Sequence, residues 1–143
     1  MRSTSDIVRI VSAASALGRI AAVGTRNETP AAQWRTLTIL GGGAQRLGEL
    51  ARLSRVTQPG MTRLIGTMVA DGLVARTPDP ADSRATVIST TEAGAQALEA
   101  WKAQLNEALQ PYFADLPEED WAVLTRAAEI LSAATVQTEE HDQ

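Results

Sequence analysis

Two polar side chains five residues apart, Gln58 and Arg63, have the chemistry needed to read DNA bases. In the major groove a Gln can pair bidentately with adenine and an Arg with guanine. Thr62 and Thr67 lie beside them and are interpreted equally well as DNA contacts or as ordinary surface residues. The alternative for Gln58 and Arg63 is a solvated helix face, and the motif around them favours contact with bases or phosphates.

The element that carries these side chains is predicted to be a helix with one buried face and one polar face, because apolar residues recur at helical spacing. The buried stripe consists of Met61, Leu64, Ile65 and Met68. Thr57 is placed to cap the helix, and Pro59 lies in its first turn, where the missing N–H costs nothing. Gly60 removes a side chain that would hold the backbone away from DNA.

A shorter helix precedes it, separated by only a few residues. Its apolar face consists of Leu47, Leu50, Ala51 and Leu53. Two short helices joined by a tight turn form a helix-turn-helix, whose second helix enters the major groove. Arg46, Arg52 and Arg55 are interpreted as phosphate contacts or as solubilising charges, and Arg55, in the turn, is the best phosphate candidate of the three.

A strand, a turn-rich tip and a second strand follow, as in a wing. Gly72 is predicted to end the helix by adopting the left-handed backbone conformation. Residues 73–76 and 85–89 are predicted to form the two strands. Pro78, Asp79, Pro80 and Asp82 are assigned to the tip. Arg84 is predicted to reach a minor groove or a phosphate, held in place by donating a hydrogen bond to Asp82. The alternative is a surface ion pair with no further role.

Three runs carry a family resemblance: T-Q-P-G-M-T-R-L-I from Thr57 to Ile65, G-L-V-A-R from Gly72 to Arg76, and D-S-R followed by T-E-A-G between Asp82 and Gly94. The chain resembles the multiple-antibiotic-resistance regulator (MarR) family of bacterial transcription factors over nearly its whole length. It departs from the family in having Thr90 where Leu is usual. The resemblance implies a homodimeric regulator, expected to be a repressor, that binds a palindromic site in double-stranded DNA and is released by a small aromatic or phenolic ligand.

The predicted fold is mainly α with a small β wing, in one domain over residues 1–143. Residues 30–94 are assigned to the winged helix-turn-helix lobe, and residues 1–28 and 95–143 to dimerisation helices. The first helix is expected over residues 5–23, with Gly24 beyond its end. The predicted dimer interface consists of Ile7, Ile10, Val11, Leu17, Leu109, Tyr112, Phe113, Trp121, Leu124 and Leu131.

Aromatic residues are few, and each is predicted to pack rather than to hold a cofactor. Trp34 is either one wall of a ligand pocket beside the DNA-binding lobe or part of the core, and core packing is favoured. Trp101, Tyr112, Phe113 and Trp121 are assigned to interface core.

The charge distribution agrees with a DNA-binding lobe in an acidic chain. The formal net charge is −4, yet residues 46–84 carry six arginines against four carboxylates, whereas residues 85–143 carry two cations against eleven carboxylates. A basic lobe with a separate acidic arm is compatible with DNA binding.

The same composition argues against other classes of protein. Cysteine is absent and the single histidine is His141, so we expect no disulfide, thiol switch, metal site, cofactor or catalytic dyad, and no enzyme activity. The start of the chain lacks a signal-peptide segment and no eighteen consecutive residues are apolar, so we expect a cytoplasmic protein without a membrane partner. Two alternatives remain: a winged-helix protein-interaction module without specific DNA binding, and a protein that sequesters a small molecule.

Overall fold

The structure, a computed structural model, describes residues 3–141, with side chains described as far as residue 135. The side chain of His141 therefore lies outside the described residues. The helices are α1 (Ser5–Thr25), α2 (Ala31–Gly41), α3 (Leu47–Ser54), α4 (Gln58–Ala70), α5 (Glu92–Leu109) and α6 (Glu118–His141), with a 3-10 turn at Gln110–Phe113. The strands are β1 (Gln45–Arg46), β2 (Val74–Pro78) and β3 (Thr86–Thr90). The mainly α fold with a small β wing is confirmed.

Helix α1 is longer than its sequence predicts, because Gly24 does not end it. The helix continues to Thr25 and is closed by Arg26 in the left-handed conformation, whose N–H reaches the carbonyl of Val23. A Cβ on Gly24 would lie 3.3 Å from the Cβ of Ala108 on α5. Glycine at this position permits two helices to approach closely rather than acting as a stop.

The hydrophobic core lies between α2, α3, α4, α5 and the sheet. Its members are Trp34, Leu37, Leu40, Leu50, Ala51, Met61, Ile65, Met68, Val74, Ile88 and Leu98. The predicted stripe of α4 is confirmed, with Met61, Ile65 and Met68 fully buried and Leu64 half-buried. Because this stripe faces the core, the opposite face of α4 is left to solvent.

The sheet has three antiparallel strands in the order β1-β3-β2. Strand β1 was not predicted, because two residues are too few to show an alternating pattern. Pro78, assigned to the tip from sequence, is the last residue of β2 and pairs with Thr86. A proline is tolerated there because β2 is an edge strand. Ala85 belongs to the tip instead, since its N–H donates to the carbonyl of Asp82.

The start of α5 packs tightly against the residues that lead into β2. Thr91 caps the helix by accepting a hydrogen bond from the N–H of Gly94 at 3.1 Å, and its own hydroxyl donates to the carbonyl of Gly72 at 2.6 Å. A Cβ on Gly94 would lie 2.1 Å from the carbonyl oxygen of Leu73. No side chain fits in that space, so the T-E-A-G run is a packing requirement.

The described residues form two compact units, one ending at Ala108 and one beginning at Leu109. The first contains the helix-turn-helix, the sheet and most of α5. The second contains the 3-10 turn and α6, where the rings of Phe113 and Trp121 pack 6.2 Å apart at 57°.

Helix α1 is long and largely apolar. It is the one helix, among those described, that is long and apolar enough to cross a membrane by length and composition, with a mean hydropathy of 1.5. Its apolar residues are interrupted by serines and arginines, so no continuous apolar run exists. Such a helix is weak evidence for a membrane span, because core helices of soluble proteins meet the same criterion.

Candidate nucleic-acid interface

The N-terminus of α4 is built by a local cap. The Thr57 hydroxyl accepts a hydrogen bond of 3.2 Å from the N–H of Gly60, and Pro59 occupies the first turn, as predicted. A Cβ on Gly60 would lie 2.9 Å from the Thr57 Oγ1 and 3.1 Å from a methyl group of Val56. Gly60 therefore has a packing role at the cap, in addition to leaving the helix surface open.

The polar face of α4 is exposed along its length. Gln58, Pro59, Thr62, Arg63 and Thr67 all lie on the surface. The hydroxyls of the two threonines donate back to the carbonyls of Gln58 and Arg63, at 3.0 and 3.3 Å. Because those hydroxyl protons are already engaged, Gln58 and Arg63 are the side chains of this face best suited to donate to DNA.

Arg55 occupies the turn between α3 and α4 in the left-handed conformation, with φ of 56°. Its N–H donates to the carbonyl of Arg52 and closes the end of α3. Few non-glycine residues adopt this conformation, and it leaves the Arg55 side chain exposed at the corner of the helix-turn-helix. The position suits a phosphate contact better than a base contact.

The wing tip is closed by three main-chain hydrogen bonds. The N–H of Asp79 donates to the carbonyl of Ala85, that of Asp82 to Asp79, and that of Ala85 to Asp82. The predicted Asp82–Arg84 contact is present: Asp82 Oδ1 accepts from both the N–H and the Nε of Arg84, at 3.0 and 3.2 Å. The Arg84 side chain is 90% exposed, so its guanidinium is oriented yet open to solvent.

Arg46 has a partner that sequence analysis missed. Its Nε lies 2.6 Å from Oδ2 of Asp79, a residue 33 positions away. The other oxygen of Asp79 accepts the N–H of Ala81 at 2.8 Å. That backbone hydrogen bond, and after it the one from Arg46, lowers the pKa of Asp79 below its usual value. Nothing in the sequence pattern indicates a pair at this separation.

Arg76 is a further cation of this lobe that sequence analysis did not select. Its Nη2 lies 3.6 Å from the position that a Cβ on Gly66 would occupy. The guanidinium of Arg76, which is exposed on β2, thus lies against α4 at Gly66, where the helix has no side chain. Arg76 adds positive charge beside the polar face of the helix.

A cavity of about 680 Å³ lies between α1, α2 and α5. Trp34 and Trp101 line it with stacked rings, 5.1 Å apart at 11°. Trp34 is 9% exposed and belongs to the core, so it both packs and lines the cavity. Trp101, assigned from sequence to interface core, instead packs against Trp34 within the same unit. Arg19 and Arg35 contribute cations to the lining.

The residues assigned to a dimer interface are largely exposed. Ile7, Ile10, Val11, Tyr112, Trp121 and Leu124 are exposed, and Leu17, Leu109, Phe113 and Leu131 are half-buried. Large apolar side chains usually avoid solvent, so their exposure on α1 and on the second unit is unusual for a monomer.

The sequence matches the model of one protein family, and the similar proteins are transcriptional regulators. A family model described as MarR family matches residues 29–85. An uncharacterized HTH-type transcriptional regulator of Mycobacterium bovis is 34% identical over 96 residues, which cover 67% of this chain and 67% of that protein. The HTH-type transcriptional repressor IacR of Pseudomonas putida is 31% identical over 100 residues, covering 69% of this chain and 60% of its own length.

Solved structures show the same fold. Wild-type MarR from E. coli in its apo form matches with a TM-score of 0.70 at 20% identity, over 92% of this chain and 97% of that one. A mutant of the same protein complexed with operator DNA matches with a TM-score of 0.58 at 20% identity, over 92% and 99%.

Proposed function

The chain belongs to the MarR family of transcriptional regulators, and from this premise we propose that it acts as a homodimeric repressor of a palindromic operator. The observation that carries the proposal is the exposed polar face of α4, where Gln58 and Arg63 are free of the core, next to a wing that presents Arg84. Cap, helix and wing belong to one compact unit. Relatives at 34% and 31% identity are HTH-type transcriptional regulators, and the second is a repressor.

In this proposal α4 is the recognition helix. Gln58 and Arg63 contact base edges in the major groove, while Thr57, Gly60 and Pro59 let the start of the helix approach closely. Arg55 contacts phosphate, and Thr62 and Thr67 line the contact surface. Arg84, oriented by Asp82, reaches the flanking minor groove. In a dimer, two such helices read half-sites about 34 to 36 Å apart.

The exposed apolar residues support the homodimer. Helix α1 exposes Val8, Val11 and Val23 at 60% or more, and the second unit exposes Tyr112 and Val123 to a similar extent. A second copy of the chain would remove these side chains from water, a gain of roughly 25 cal/mol per Å² of apolar surface. The membrane-like composition of α1 is then the composition of an interface helix, and the protein is cytoplasmic.

The cavity supports control by a ligand. Stacked indole rings at Trp34 and Trp101 offer a flat apolar wall, and Arg19 and Arg35 offer hydrogen-bond donors for an anion. A small aromatic carboxylate or phenol matches both features. Such a ligand would weaken DNA binding only by its preference for the dimer conformation that does not fit the operator.

The decisive experiment is iterative selection of a random duplex library with the purified protein, followed by titration of the enriched site against salt and against scrambled DNA. We expect a palindrome and a steep salt dependence. A folded dimer that enriches no site would contradict the proposal and favour the winged-helix protein-interaction module.

Ligand control is tested separately on the enriched site. Aromatic carboxylates and phenols are titrated while tryptophan fluorescence and operator affinity are followed together. Quenching accompanied by weaker operator binding supports the proposed role of the cavity. Unchanged operator affinity at saturation with every compound would remove ligand control from the proposal while leaving DNA binding intact.

A further inference from the structure

The pair formed by Arg46 and Asp79 crosses the whole sheet. Arg46 lies on β1, opposite Val87 on the central strand β3, and Asp79 directly follows the far edge strand β2. Neighbouring strands are about 4.8 Å apart, so the two outer strands are separated by roughly twice that distance, which an extended Arg side chain can span. The ion pair of 2.6 Å therefore connects the residue before α3 to the root of the wing tip.

Asp79 is also the first residue of the closed tip. Its N–H and carbonyl make two of the three main-chain hydrogen bonds of the tip, with Ala85 and Asp82, and its Oδ1 accepts from Ala81. Asp82 in turn orients Arg84. A continuous chain of contacts thus runs from Arg46 through Asp79 and Asp82 to the side chain proposed to enter the minor groove.

We propose that Arg46 is a positioning residue, which braces the wing through Asp79 and so sets the placement of Arg84, rather than a phosphate contact. The inference rests on the proposed DNA-binding function. Two observations favour it over an ordinary surface pair: the Asp79 side chain is only 12% exposed, and the pair joins two elements instead of adjacent turns of one helix. A hairpin with a protruding tip has few contacts of its own, so a brace at its base restricts its motion.

The alternative, that Arg46 contacts phosphate, predicts the opposite effect at Asp79. Removing a carboxylate near the DNA lowers electrostatic repulsion, so Asp79→Asn would bind DNA as tightly as the unaltered protein or more tightly. If Asp79 anchors the wing, the same substitution weakens binding. Asn at this position still offers an oxygen to the N–H of Ala81, so the substitution isolates the ion pair from the turn.

The test compares Arg46→Ala, Asp79→Asn and the double variant on the selected operator. We expect each single variant to weaken binding on the order of fivefold, and the double variant to be no weaker than the worse single one, because both remove the same contact. The slope of affinity against salt should be unchanged. Glu49→Gln is the matched control: it removes one carboxylate of an exposed pair with Arg52 in the same lobe, and it should not weaken binding.

A second measurement does not involve DNA. Hydrogen exchange of the N–H groups of Asp79 and Ala85 in the free protein should accelerate in both single variants, because those groups close the tip. Asp79→Asn binding with equal or higher affinity, or Arg46→Ala reducing the salt slope by about one with unchanged exchange, would overturn the proposal. If the unaltered protein selects no DNA site, the proposed function fails, and amide exchange still decides whether the brace exists.

Discussion

Nη1 of Arg35 donates a hydrogen bond of 2.8 Å to the main-chain carbonyl of Ser54. Arg35 lies on α2 and lines the cavity, whereas Ser54 is the last residue of α3 and is fully buried. A guanidinium at the C-terminus of a helix satisfies a carbonyl that lacks a partner within the helix and opposes the negative end of the helix dipole. The contact therefore joins the cavity wall to the turn that precedes α4.

Replacing Arg35 by Ala is expected to lower the free energy of unfolding by about 1 kcal/mol, since one charge-assisted hydrogen bond on a partly exposed side chain is lost. Denaturant unfolding at fixed protein concentration measures the change. Arg19→Ala is the control, because it removes another cation that lines the cavity, and we expect little change. Equal losses for both variants would mean that the bond to Ser54 contributes nothing specific.

Gly94→Ala is expected to destabilise the fold by about 3 kcal/mol. The added Cβ would meet the carbonyl oxygen of Leu73 at 2.1 Å and the Thr90 Oγ1 at 2.6 Å, so α5 or β2 must shift. Thermal unfolding measures the effect. Gly41→Ala serves as the comparison, because a Cβ there meets nothing within 4 Å, and it should be neutral or slightly stabilising. A neutral Gly94→Ala would show that the start of α5 moves freely.

Arg63→Ala should cost about 1 to 3 kcal/mol of operator affinity and relax the preference at one base position, because a base-reading donor is removed. Arg55→Ala should weaken operator and scrambled DNA alike and lower the salt slope by about one. Binding isotherms on both DNAs at several salt concentrations separate the two roles. A loss for Arg63→Ala that is equal on both DNAs would reassign Arg63 to phosphate.

The ion pair of Asp79 should survive mild acid. The N–H of Ala81, and after it the Arg46 guanidinium, lower the pKa of this carboxyl, so its contribution to stability is present above the ordinary aspartate value and is lost as the pH falls through the lowered one. Wing order should therefore be constant from pH 7 to pH 5 and decline only below about pH 4.

Carboxyl NMR titration of Asp79 checks this expectation. In Arg46→Ala the pKa should rise while staying below the ordinary value, because the larger effect, from the Ala81 N–H, remains. An ordinary midpoint in the unaltered protein would contradict the lowered pKa.

A charge placed on either proposed interface helix should break the dimer. Val11 on α1 is 60% exposed and Leu124 on α6 is 43% exposed, so Glu at either position costs the single chain little. In an apolar interface the same charge would be buried without a partner. Sedimentation should show monomers for Val11→Glu and Leu124→Glu and dimers for the control Thr77→Glu, on the exposed wing strand. Dimers from both interface variants would place the contact elsewhere.

Features that depend on neighbours along the chain could be read from the sequence. The buried stripe of α4, the Thr57 cap, the stop at Gly72 and the Asp82–Arg84 contact all follow from helical spacing or from hydrogen bonds over two or three residues. These local rules, together with the family resemblance, were enough for the fold class and for the candidate recognition face.

Features that depend on distant neighbours were decided only by the tertiary structure. Gly24 and Gly94 are identical residues in sequence, yet one lies against Ala108 and the other against Leu73, and neither acts as a simple turn. The spacing of apolar residues along a helix does not show which residues pack against it from distant parts of the chain. For that reason the sequence predicted that Gly24 ends α1.

Two long-range pairs could not be predicted from the sequence for the same reason: the ion pair of Arg46 with Asp79 in the winged lobe, and the stacked rings of Trp34 and Trp101 in the cavity. Arg46 contacts Asp79 because β1 and β2 both pair with the central strand β3, one on each side. Trp34 stacks on Trp101 because α2 and α5 pack together. The sequence by itself determined the helices, the cap and the exposed polar face, since these arise from contacts within a few residues. Only the folded chain decided which arginine pairs with Asp79 and which tryptophans line the cavity, because those contacts exist only after distant elements have packed.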